Sequence, residues 1–126
     1  MKLLLLATLG GGIGAGARYL VQVCMVRALG PGFPWWTLAI NVGGSFVMGF
    51  LADYILRRLD GSPEARALLL TGILGGFTTF SAFSLDVADL ISRRDALAAA
   101  GYIVGSVGLS IAALYIGWAI ARSVFP

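Results

Sequence analysis

The sequence predicts an all-α membrane protein, a single domain over residues 1–126 with four transmembrane helices at about 3–29, 35–56, 67–91 and 96–120. Three observations carry that prediction. Fifty-nine per cent of the chain is apolar and only 12% is charged, about half the charged share of an ordinary soluble domain. The apolar residues are gathered into long stretches parted by short polar breaks. None of the stretches alternates polar and apolar residues as a barrel strand does, so helices are expected. A bilayer core of roughly 30 Å needs about 20 helical residues, which leaves a chain of this length little for an extramembrane domain.

The first stretch runs from Leu3 to Leu29 and stops at Pro31-Gly32-Phe33-Pro34, where two prolines cannot continue a helix. Lys2, the apolar run to Leu9 and the small residues Gly14-Ala15-Gly16-Ala17 imitate a signal peptide. Hydrophobicity continues past Ala17 to Leu29, however, and a retained helix is expected. The second stretch, Trp35 to Leu56, closes at the charged turn Arg57-Arg58-Leu59-Asp60-Gly61-Ser62-Pro63. The third and fourth are joined by Ser92-Arg93-Arg94-Asp95.

Composition also excludes function classes. Histidine is absent and Cys24 is alone, which removes His-dependent catalysis, Cys/His zinc sites, CxxC redox pairs and intrachain disulfides, and leaves the redox compartment unreadable. No nucleophile and base form a credible constellation, so no enzyme is expected. The net charge of +3 comes from scattered basic residues with no stripe to follow a phosphate backbone, so no nucleic-acid partner is expected.

Those basic residues are balanced across the membrane. Lys2, Arg57, Arg58, Arg66 and Arg122 fall on one side; Arg27, Arg93 and Arg94 fall on the other, joined by Arg18 if it snorkels there. Charge alone leaves open a single, weakly biased orientation or insertion both ways up.

Small residues recur at helix-packing spacing in Gly10/Gly14, Gly12/Gly16, Ser45/Gly49, Gly72/Gly76 and Gly101/Gly105. In lipid such pairs let backbones approach closely. Thr37, Asn41 and Ser45 share one face of the second helix, and Tyr102, Ser106 and Ser110 share one face of the fourth. Any one of these alone reads as interhelical glue; two polar tracks on separate helices point to the lining of a pathway. In the third helix, Gly75-Gly76 followed by Thr78-Thr79 weakens the helix in mid-membrane and frees backbone groups that must find protein, an ion or water. Freed carbonyls suit a hard cation. Phe77, Phe80 and Phe83 then follow at i, i+3, i+6, a spacing that ordinarily marks core packing.

The segment Gly72-Ile73-Leu74-Gly75-Gly76-Phe77-Thr78-Thr79-Phe80-Ser81-Ala82-Phe83-Ser84 resembles the signature of the Fluc (CrcB-type) fluoride channels. Gly11-Gly12-Ile13-Gly14-Ala15-Gly16-Ala17-Arg18-Tyr19 resembles that family's first-helix motif, and Thr37-Leu38-Ala39-Ile40-Asn41-Val42-Gly43-Gly44-Ser45-Phe46 its second. Together the motifs span essentially the whole chain. Ala82 stands where members often have threonine and Asp86 where they often have glutamate; the fourth helix matches loosely.

The resemblance implies a multi-pass protein of the cell (inner) membrane that exports fluoride passively as an antiparallel, dual-topology homodimer. It implies that Asn41, Phe80 and Phe83 line the fluoride path, that Ser106 and Ser110 continue it, and that Arg18 adds positive potential near an entrance. It further implies a structural sodium ion at the dimer centre, held by backbone carbonyls of Gly75 and Thr78 from both chains. Amide and hydroxyl donors and the positive edges of aromatic rings can replace a small anion's hydration, whereas a lysine or arginine in the narrow path would slow its exit.

Two other classes share some of these features. A small multidrug exporter has the same length and helix number, but needs an intramembrane carboxylate to exchange protons; the first helix has none, and Asp53, Asp86 and Asp89 are expected at helix ends. A structural subunit of a larger membrane complex would account for the glycines and leave the polar tracks unexplained.

Overall fold

In the computed structural model, which describes Met1–Pro126, every regular element is helical. Four spans are long and apolar enough to cross a membrane: Lys2–Leu29, Trp35–Arg58, Pro63–Ser92 and Ala96–Val124. Even the shortest, at 24 residues, is about 36 Å long at 1.5 Å per residue. Leu9, Leu20, Leu85 and Val104 point outward, a pattern that lipid rather than water solvates.

Helix α1 (Lys2–Leu29) ends at Gly30, whose φ of 77° suits a residue without a Cβ. Helix α2 (Trp35–Arg58) runs past Leu56 through Arg57 and Arg58, because basic side chains complement the negative end of a helix and can reach past its apolar part. The third span starts at Pro63 rather than at Ala67. Ser62 Oγ accepts the Ala65 N–H at 3.2 Å and Pro63 occupies the first turn, so the short α3 (Pro63–Ala65) has both a cap and a preset φ. A π-helical stretch (Arg66–Leu74) and α4 (Gly75–Phe77) follow.

Thr78 and Thr79 then take extended dihedrals before α5 (Phe80–Ser92) begins. The two hydroxyls serve opposite ends. Thr78 Oγ1 donates to the Leu74 carbonyl at 2.9 Å, while Thr79 Oγ1 accepts the Ala82 N–H at 3.1 Å and caps α5. Helix α6 (Ala96–Val124) opens on Asp95, whose Oδ1 accepts the Ala98 N–H at 3.1 Å.

The spans pack as two parallel pairs. Gly10 and Gly14 of α1 lie against the backbone of Gly72, Ile73 and Phe77, where a Cβ would collide. Helix α2 lies on α6 in the same way: a Cβ on Gly49 would meet the Leu114 carbonyl, and one on Gly117 the Phe46 carbonyl. By contrast, Gly12, Gly16, Gly101 and Gly105 face open space, so their spacing serves no contact within one chain.

Candidate functional site

Helices α2 and α6 share one register. Asp53 and Trp118, hydrogen-bonded to each other, are 65 residues apart, and the same offset relates Gly49 to the Leu114 it touches. Continued upward, it sets Ser45 beside Ser110 and Asn41 beside Ser106, so the two polar tracks become facing ladders. Beside the ladders, α5 and the Thr78-Thr79 link complete a cavity of about 270 Å³. Asn41 and Ser45 line it from α2, Ser106 and Ser110 from α6, and Phe80 and Phe83 from α5, with Thr78 and Thr79 beside them. No ionisable side chain lines it.

The polar groups in this cavity are held unequally. Asn41 Oδ1 accepts the Thr79 N–H at 2.8 Å, and Asn41 Nδ2 donates to the Thr79 carbonyl at 2.9 Å. One amide hydrogen of Asn41 is left over. Ser106 Oγ and Ser110 Oγ are buried without any hydrogen-bond partner. Serines in a helix commonly return their hydroxyl to the carbonyl one turn back, as Ser84 does to Phe80 at 2.9 Å. Ser106 and Ser110 make no such bond, and their buried donors carry a desolvation cost of about 1–3 kcal/mol each.

The aromatic wall is less regular than its spacing. Phe80 and Phe83 lie 5.5 Å apart between ring centres, and Phe83 continues to Tyr102 at 5.1 Å. Phe83 is buried, whereas Phe80 is 76% exposed at the cavity rim. Phe77 does not join them: the two extended residues turn the chain between Phe77 and Phe80, so the i, i+3 relation is lost there, and the Phe77 ring packs on Gly44.

Arg18 does not reach this cavity. It lines a separate one of about 170 Å³ with Gln22, Thr37 and Asp86, and Thr79 borders both. Gly75 also lies outside the cavity lining, on the short turn that precedes Thr78. Because the Thr79 N–H goes to Asn41, it is withheld from the Gly75 carbonyl one turn back. The Thr78 carbonyl accepts no hydrogen bond.

Two carboxylates outside the cavity tie helices together. Asp86 Oδ2 accepts the Tyr102 hydroxyl at 2.8 Å, tying α5 to α6 beside the buried Phe83. Asp53 lies in the last turns of α2 and is 2% exposed. Its Oδ1 accepts the Trp118 Nε1–H at 2.6 Å, and Arg57 and Arg122 close around it. The signal for Asp53 was its place on the same i, i+4 stripe as Asn41, Ser45 and Gly49.

Residues 5–118 match the family model described as CrcB-like protein, Camphor Resistance (CrcB). The chain is 48% identical over 124 residues to a Rhizobium meliloti (strain 1021) protein named fluoride-specific ion channel FluC, covering 98% of this chain and 99% of that one. It is 54% identical over 119 residues to a protein of that name from Rhizobium etli (strain CIAT 652), covering 94% and 95%. A third, from Mesorhizobium japonicum, is 54% identical over 122 residues, covering 96% and 97%. With the match running through all four spans and nearly the full length of each relative, the chain belongs to the CrcB-like family.

Proposed function

We propose that this protein is a fluoride-selective channel of the cell (inner) membrane that lets fluoride leave the cell passively. Fluoride enters from an acidic medium as the neutral acid and dissociates inside, so an open anion path is enough to relieve its toxicity. The observation that carries the reading is the pair of buried, unpartnered hydroxyls of Ser106 and Ser110 in one cavity with Asn41, Phe80 and Phe83. Hydroxyl and amide donors and aromatic ring edges are what a dehydrated anion requires. The absence of lysine and arginine from the lining favours passage over retention. Arg18, in the neighbouring cavity that shares Thr79 as a wall, raises the local anion concentration at an entrance.

In this reading two chains assemble antiparallel, one in each orientation. Near-equal numbers of basic residues on the two sides support it, as does Phe80, an aromatic of the proposed path that a single chain leaves largely uncovered. The interrupted third span sits at the centre of that dimer. There the carbonyls of Gly75 and Thr78 from both chains hold a structural sodium ion. Their fit rests on two features: the Thr79 N–H that would occupy the Gly75 carbonyl is drawn to Asn41, and the Thr78 carbonyl has no donor. Bare carbonyl oxygens are hard ligands suited to such a cation, and irregular backbone at membrane depth needs such a partner.

The test is ion flux from liposomes that contain only this protein. Fluoride efflux with chloride retained is the expected result; no fluoride movement, or chloride moving equally well, overturns the reading.

A further inference from the structure

Of the six acidic residues, Asp53 alone is buried. A carboxylate within a membrane span is costly and normally marks a function. Asp53 borders neither the candidate path nor the cavity that holds Arg18, so it meets no ion or substrate there. Every group it faces belongs to the α2–α6 seam. Trp118 donates to Oδ1 at 2.6 Å, Arg122 Nε lies 3.4 Å from the same oxygen, and Arg57 Nε lies 2.8 Å from Oδ2 without the alignment of a hydrogen bond. The Arg122 guanidinium also covers the Trp118 ring, 4.9 Å from its centre.

Apolar packing does not demand this cluster, since replacing a buried ion pair with apolar residues of similar volume is often neutral. A directional bond adds to the register that packing sets. The seam between α2 and α6 is built from residues four apart, and its close backbone contacts at Gly49 and Gly117 already oppose a slide of one turn, about 5.4 Å, because it would bring a Cβ onto a carbonyl. Such a slide would also move Ser45 away from Ser110 and Asn41 away from Ser106. A single indole N–H facing a single carboxylate oxygen is satisfied in one register only.

We infer that Asp53 is a positioning residue: its hydrogen bond to Trp118, together with the close contacts at Gly49 and Gly117, holds α2 and α6 in the register that sets Asn41 and Ser45 beside Ser106 and Ser110, and so fixes the donor spacing along the anion path. The inference rests on the channel reading above. It extends that reading to a residue two turns beyond the cavity.

Three single variants of the full-length protein and the Asp53→Leu/Trp118→Phe double variant, purified and reconstituted in liposomes, test it. Asp53→Leu removes the acceptor, Trp118→Phe keeps an aromatic ring but removes the N–H, and Asp53→Asn keeps an oxygen for the indole. The first two should lower fluoride flux about tenfold and narrow the preference for fluoride over chloride, and the combined variant should be no worse than either. Asp53→Asn should stay within about threefold of wild type in both. Unchanged preference in the first two overturns the inference, whether flux is intact or falls only in step with lost folded protein. So do additive losses, or an Asp53→Asn variant as impaired as Asp53→Leu. Wild-type protein that moves no fluoride overturns the channel reading and takes this assignment with it, an outcome distinct from defects confined to the variants.

Discussion

The side chain of Asn41 pairs with the backbone of Thr79 through both of its polar atoms, at 2.8 and 2.9 Å. One contact thus joins α2 to the link between α4 and α5, keeps Thr78 and Thr79 out of the helix, and withholds a donor from the Gly75 carbonyl. Replacing Asn41 with leucine removes two hydrogen bonds, about 1 kcal/mol each net. It also lets the Thr79 N–H return to Gly75. Asn41→Leu should therefore lose about 2 kcal/mol of stability and at least tenfold in fluoride flux, measured on reconstituted protein that remains folded. Undiminished flux would remove Asn41 from the path.

Ser106 and Ser110 separate pathway from packing by an unusual sign. Because neither hydroxyl has a partner, Ser106→Ala and Ser110→Ala should leave thermal stability unchanged or raise it by about 1 kcal/mol. Flux should fall about tenfold. Destabilisation together with normal flux would make the hydroxyls structural.

Phe80→Ile and Phe83→Ile roughly keep apolar bulk and remove the positive ring edge. A packing residue should tolerate the exchange at a cost below about 1.5 kcal/mol. Both variants should stay folded and lose most fluoride flux, whereas Phe46→Ile, outside the cavity lining, should retain it. Normal flux in folded Phe80 and Phe83 variants would return both rings to a packing role.

Sodium held by backbone carbonyls needs no gradient coupling. Replacing sodium on both sides of the membrane with a large organic cation should weaken the dimer or silence flux, whichever way the fluoride gradient points. Transport that follows the direction of a sodium gradient would mark a symporter or exchanger.

The proposed antiparallel assembly of this 13.2 kDa chain can be tested directly. Labelling a C-terminal tag in intact cells should show both orientations, with some molecules reached and others protected. A tag accessible in all molecules or in none contradicts the antiparallel pair.

The helical class and membrane character were legible in residue order, because lipid requires each span to satisfy its own backbone and to be apolar along its length. Local periodicity likewise placed Thr37, Asn41 and Ser45 on one face and Tyr102, Ser106 and Ser110 on another, since a helix repeats every 3.6 residues wherever it packs. Which faces meet is a long-range matter. The α2–α6 register, the grip of Asn41 on Thr79, the separation of Arg18 from the cavity and the departure of Phe77 from the aromatic wall all depend on contacts between residues distant in the chain. Asp53 shows the reason most plainly. Its charge argued for a place near a helix end, where it lies, but not for burial; α6 brings Trp118 and Arg122 to its carboxylate, and that arrangement makes burial tolerable.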